Sequence, residues 1–122
     1  MAAAVKRVLV VEDESLVSLL IEEFLGELGY QVAGTAAELE QALSMSRTLD
    51  LDFVVLDLNL DGELSYPIAK VLKERGVPFL FATGYGLAAL PQELRGVPVL
   101  AKPFRREELD AALRQAAGAE RG

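Results

Sequence analysis

The sequence predicts a doubly wound α/β domain, a parallel sheet with helices on both faces. Three observations lead there. Strand-like and helix-like signals alternate about five times along the chain. Four strand-like runs, Val8 to Val11, Phe53 to Leu56, Phe79 to Ala82 and Val97 to Ala101, are apolar throughout, as strands covered on both faces are. Each of these runs also ends on polar chemistry, at Glu12 and Asp13, Asp57, Thr83 and Lys102 respectively.

The elements follow in order. After Asp13, apolar residues at Val17, Leu20, Ile21, Phe24 and Leu28 keep helical spacing, and Gly29 supplies a stop. A short second strand is expected around Gln31 to Gly34. Thr35 stands three residues before Glu38, a capping-box signature that predicts a helix with Leu39, Ala42 and Leu43 inside. The third strand gives way to a loop, Leu58 to Leu64, with Asp61–Gly62 as its turn signal. Ser65 and Pro67 open the next helix, Ile68, Val71 and Leu72 form its inner face, and Gly76 closes it. Gly84 to Gly96 carries three glycines and Pro91, so only a short helix is expected there. The last helix starts after Pro103, with Glu107 and Glu108 suited to the helix dipole and Leu109 and Leu113 turned inward. Arg105 is a poor N-cap for it. Few residues follow Ala117, and the reading is one domain over 1–122 with its core at about 5–117.

At 122 residues, such a domain buries roughly two thirds of its unfolded surface. A hydrophobic fraction of 52% and a mean hydropathy of +0.28 suit a packed core. The net charge of −7 argues against nucleic acid, which needs a basic footprint, and leaves another protein as the expected partner. Neither cysteine nor histidine occurs, which excludes thiolate nucleophiles, Ser–His triads, imidazole-based zinc sites and a phosphohistidine of the chain's own. A phosphoryl group carried on histidine must therefore arrive on a partner. No apolar run reaches membrane-span length and no signal-peptide pattern is present, so no membrane association and a cytoplasmic location are expected.

Ligands of open α/β sheets bind outside the carboxyl ends of the strands, so the acids, the hydroxyl and the amine should share one polar pocket. Carboxylates a few Å apart repel by roughly 4 kcal/mol per pair at an effective dielectric near 20. Lys102 together with a divalent cation would relieve that, which points to phosphoryl chemistry. Taken singly, each residue has an ordinary explanation. Glu12–Asp13–Glu14 could be a solvated helix start, Thr83 a plain strand end and Lys102 a surface lysine. Asp57 is harder to dismiss, because it interrupts a strongly apolar segment and aspartate is depleted in strands. Asp61 reads as a plain loop acid.

Together, Val10–Val11–Glu12–Asp13–Glu14, Val55–Leu56–Asp57–Leu58–Asn59, Ala82–Thr83–Gly84 and Lys102–Pro103–Phe104 resemble the receiver domain of two-component response regulators, over essentially the whole chain. The resemblance implies a flavodoxin-like five-stranded sheet of order 2-1-3-4-5, with Asp13 and Asp57 neighbours at the switch point. It implies that Asp57 is the phosphoacceptor for a sensor histidine kinase or phosphotransfer protein, in a phosphorelay where Thr83 and Lys102 contact the phosphoryl oxygens. It further implies Mg²⁺ held by Asp13, Asp57 and the backbone carbonyl of Asn59, with Glu12 reaching it through water. Lys102–Pro103 is a candidate cis bond.

The sequence departs from the family pattern in three places. Glu12 stands where many members have aspartate, Val99 occupies the position of the switching aromatic, and Asp61–Gly62 replaces the usual proline. Thr83 and Tyr85 are then the switch candidates. The run Pro78–Phe79–Leu80–Phe81–Ala82–Thr83–Gly84–Tyr85 resembles the motif of an alphaproteobacterial receiver subfamily that is often free-standing. The expected function is a single-domain response regulator, not an enzyme beyond its self-catalysed phosphoryl acceptance and autodephosphorylation. It would signal through altered protein binding, or through a homodimer on its fourth and fifth helix face, or act as a phosphate sink. The alternatives are a phosphorylation-independent docking module and a small Asp-nucleophile phosphatase. The phosphatase would place its nucleophile after the first strand, not the third. Flavin binding is disfavoured because Glu12–Asp13–Glu14 would repel a phosphate.

Overall fold

A computed structural model describes residues 5–84 and 90–121. The main sheet comprises β1 (Arg7–Val11), β2 (Gln31–Ala36), β3 (Phe53–Asp57), β6 (Phe79–Thr83) and β7 (Val99–Ala101). A two-stranded hairpin, β4 (Asn59–Leu60) and β5 (Glu63–Leu64), follows β3 directly. The helices are α1 (Ser15–Glu27), α2 (Leu39–Thr48), α3 (Tyr66–Arg75) and α4 (Arg106–Arg121), with a 3₁₀ turn at Gln92–Leu94.

The sheet is parallel in every pairing and ordered β2-β1-β3-β6-β7, the expected 2-1-3-4-5 once the hairpin strands are set aside. Alternate residues of each strand enter opposite layers. Leu9, Val11, Val54, Leu56, Phe79 and Phe81 pack with Ala42 of α2 and Ile68 and Leu72 of α3. Val8, Val10, Phe53, Val55, Leu80 and Ala82 pack with Ile21 and Leu25 of α1 and Leu109 and Leu113 of α4. Burial on both faces is why these strands are apolar throughout. In register, Val11 lies beside Leu56 and Asp57 beside Ala82, so the carboxyl ends of the three central strands finish level.

Local readings differ in four places. Thr35 opens no helix: it continues β2, paired with Val10 as Ala36 is with Val11. Glu38 is the N-cap of α2, without a side-chain cap bond. The ladder to β1 claims the backbone that a capping box would have used. β7 starts at Val99 rather than Val97, because Pro98 has no N–H to give, though its carbonyl accepts from Phe81 N–H at 2.9 Å. The loop Leu58 to Leu64 contains the hairpin. Finally, α4 runs on to Arg121, as its Ala-, Glu- and Arg-rich end favours. The poor N-cap at Arg105 is compensated from the other side, since Glu108 Oε1 accepts the Arg105 N–H at 2.9 Å. That bond first, and the Arg105 guanidinium second, hold the Glu108 carboxyl below its usual range.

Candidate phosphoryl and metal site

Glu12 and Asp13 follow β1, Asp57 ends β3, Thr83 ends β6 and Lys102 follows β7. Backbone bonds fix each at its strand end. Glu12 N–H donates to Ala36 O at 2.9 Å, Leu58 N–H to Ala82 O at 3.1 Å, and Lys102 N–H to Thr83 O at 2.8 Å. The Lys102–Pro103 peptide bond is cis, as the sequence suggested.

The side chains converge as expected. Carboxylate oxygens of Glu12, Asp13 and Asp57 lie within 4.8 Å of one another. Lys102 Nζ donates to Glu12 Oε1 at 2.5 Å and to Asp57 Oδ2 at 3.2 Å. Thr83, paired with Ala101 in the sheet, is buried at the end of β6. A cleft of about 440 Å³, lined by Asp13, Glu14, Asp57, Asn59, Asp61, Gly62, Gly84 and Lys102, opens over the group. Of the switch candidates, Thr83 ends β6, whereas Tyr85 lies outside the described residues. Val99 stands beside Phe81 in the sheet, half-buried against the core.

Electrostatics here are set by burial. Glu12 is 3% exposed. Desolvation, then the neighbouring Asp57 carboxyl, push its pKa up to about 8 against the opposing pull of Lys102. Its second oxygen, Oε2, is buried without a hydrogen-bond partner. Burial and the Asp57 carboxyl thus favour the protonated form of Glu12. Burial also works against the Lys102 charge, but the bonds and Coulomb attraction from Glu12 and Asp57 outweigh it and hold the ammonium above its usual value.

Three converging acids with an unpartnered buried carboxylate oxygen form a donor set that a cation would satisfy. An all-oxygen donor set suits a hard divalent ion. The fit with Mg²⁺ is therefore good. Sequence reasoning brought Glu12 to the metal through water and expected Lys102 to offset the acids' charge; the structure gives Glu12 and Asp57 as the lysine's partners. Sequence reasoning missed Asp61 and Glu14 as cleft residues. Asp61 N–H donates to Asp13 Oδ2 at 2.9 Å, and the Asp-Gly pair was the only available signal.

Fold and site together define a doubly wound α/β domain with an acid–lysine centre at its topological switch point. The chain belongs to the response regulator receiver domain family, whose model matches residues 8–114. Among solved structures it is similar to SdrG from Sphingomonas melonis, at 36% identity and a TM-score of 0.84, covering 95% of this chain and 99% of that one. It is also similar to the receiver domain of the sensor histidine kinase PA1611 from Pseudomonas aeruginosa, solved with a magnesium ion coordinated in its active site cleft. That match has 28% identity and a TM-score of 0.77, and covers 94% and 99% of the two chains. The probable transcriptional regulator ycf27 of Cyanophora paradoxa is 34% identical over 113 residues, 89% of this chain and 47% of that protein. The chain spans about half the length of the curated relatives it matches. No helix among the described residues is long and apolar enough to cross a membrane.

Proposed function

We propose that this receiver accepts a phosphoryl group on Asp57 from a phosphohistidine of a sensor histidine kinase or phosphotransfer protein, in a Mg²⁺-dependent reaction. The observation that carries the reading is the position of Lys102, 3.2 Å from Asp57 Oδ2 at the mouth of a cleft walled by acids. An Asp57 oxygen attacks phosphorus in line with the departing nitrogen. The nitrogen–phosphorus bond breaks and the imidazole leaves with a proton, so an acyl phosphate replaces a phosphoramidate. Lys102 and the Thr83 hydroxyl would meet the charge on the phosphoryl oxygens. Asp13, Asp57 and the Asn59 carbonyl would hold Mg²⁺, with Glu12 reaching it through water; when bound, the ion neutralises charge on both nucleophile and phosphoryl group. Relatives support this reading: magnesium sits in the PA1611 receiver, and SdrG has been solved in a BeF₃-activated conformation.

The test is intact-mass analysis after incubation with acetyl phosphate and Mg²⁺. One phosphoryl adduct is expected, absent in Asp57→Asn and in EDTA. Persistent labelling of Asp57→Asn would sink the assignment. No labelling from acetyl phosphate or from a phosphorylated kinase would favour the phosphorylation-independent docking module.

Output in this reading passes through a partner protein, a second copy or competition for phosphoryl groups, in the cytoplasm, with no turnover beyond self-catalysed gain and loss of phosphate. The proposed output face, the fourth and fifth helices of the sequence reading, corresponds to the segment between β6 and β7 and to α4. Phosphodonor docking has a separate candidate surface. Leu16, Leu19 and Leu20 of α1 are 81%, 60% and 42% exposed, one turn or two from Asp13. Changing Leu16 and Leu19 to serine should slow transfer from a phosphorylated kinase about tenfold, as loss of apolar interface anchors does. Labelling by acetyl phosphate should stay unchanged; equal loss with both donors would place the effect in the site instead.

A further inference from the structure

We propose that the β4–β5 hairpin is a positioning element for the cation site, acting on Asp13 through the backbone N–H of Asp61. The inference rests on the reading of Asp13 as a metal ligand. It assigns a role to a turn that the sequence suggests is only a connection.

The hairpin is tied at both ends. At its base, Ser65 N–H and Ser65 Oγ both donate to Leu58 O, at 3.0 Å and 3.2 Å, and Leu60 is 2% exposed, anchored in the core. At its tip, Asp61 and Gly62 have φ of 51° and 89°. Both are left-handed, as a two-residue hairpin turn requires and as Asp-Gly supplies. Asn59 Oδ1 accepts the Gly62 N–H at 2.8 Å and so holds that turn closed. The turn points the Asp61 N–H at Asp13 Oδ2, 2.9 Å away.

The bond fixes one Asp13 oxygen and so orients the carboxylate, whose remaining lone pairs stay available to a cation. Asp13 is only partly buried and stands on a loop between β1 and α1. Without the tie, its rotamers would have to be frozen at the moment of cation binding. Asn59 N–H meanwhile donates to Asp57 Oδ1 at 3.2 Å. Hydrogen bonds and the Asp61–Gly62 backbone thus link Asp57 through the hairpin to Asp13. Supporting bonds of this kind are commonly worth about 10- to 100-fold in metal affinity.

The substitution that isolates the turn is Gly62→Val. A Cβ at Gly62 meets nothing within 4 Å, so the change strains only the left-handed backbone. Mg²⁺ titration by calorimetry should show affinity weakened about tenfold in Gly62→Val. Gly62→Asn, which tolerates a left-handed φ and so keeps the turn, should stay within about threefold of the parent. In an Asp13→Ala background, Gly62→Val should have no further effect.

An unchanged Gly62→Val, an equal loss in the Asp13→Ala background, or a Gly62→Asn as weak as Gly62→Val would each overturn the positioning role. If Asp13→Ala itself leaves Mg²⁺ affinity intact, the reading of Asp13 as a ligand fails, and the positioning role with it. A measurement without hairpin variants stands beside these. Amide exchange at Asp61, followed by NMR without metal, should be slowed in the parent and fast in Asp13→Ala. Fast exchange in the parent would show that the bond is not held in solution.

Discussion

In EDTA, the protein should lose thermal stability as pH rises from 6 to 9, and saturating Mg²⁺ should flatten or reverse that trend. The sign follows from Glu12. Its carboxyl is raised to about 8 in the fold, by burial first and Asp57 second, against an ordinary value of 4.5 in the unfolded chain. Between these values the folded state holds a proton that the unfolded state has released. The contribution is therefore complete below about pH 4.5 and is lost as pH climbs through about 8. Its size is on the order of a few kcal/mol. General charge repulsion in a chain of net charge −7 pushes the same way, so Glu12→Gln is the control. That variant cannot ionise at this position, and most of its slope between pH 6 and 9 should disappear. Melting curves with and without metal read the effect directly. Mg²⁺ binding at pH 7 should release close to one proton per ion, because the cation needs the carboxylate; titrations in buffers of different ionisation enthalpy count it. A parent slope identical to that of Glu12→Gln would show that Glu12 is ionised throughout and that the orphaned oxygen has another explanation.

The legibility of this fold divides between what is local and what is not. Val8 to Val11 and Phe53 to Leu56 announce buried strands by composition alone, and their polar ends announce a site, because sheet topology brings strand ends together whatever the helices do. Gly76, left-handed at φ 70°, and the Gly29 stop after α1 are likewise local signals. Thr35 was misleading for the opposite reason. Its capping pattern with Glu38 is real in the sequence, but the ladder to Val10 is a contact between distant segments and outweighs it. The same holds inside the site. Glu12, Asp57 and Lys102 could be placed near one another, yet nothing local says that Lys102 would reach across 90 residues to Glu12. Nor does it say that Asp61 would reach across 48 to Asp13. Side-chain inventory was legible; partner choice was not.

Partner choice matters most at Lys102. Replacing it with methionine should slow phosphoryl acceptance from acetyl phosphate by about 100-fold or more, the usual loss when one preorganised donor to a developing charge is removed. The same variant should bind Mg²⁺ at least as tightly as the parent. The ammonium sits 2.5 Å from Glu12 and 3.2 Å from Asp57, on oxygens that a cation would use. A divalent ion must compete with it there, and methionine removes the competitor while keeping a long apolar stem. Stability should move with pH in the variant. Breaking a buried pair from one side is costly because the other charge stays behind, but Glu12 can keep its proton, so the loss should be small near pH 6 and grow toward pH 9. A purely structural lysine would lower metal affinity and phosphorylation together. Divergent effects, with slower chemistry beside equal or tighter Mg²⁺ binding, separate a group that serves the transferring phosphoryl from one that merely holds two strands together.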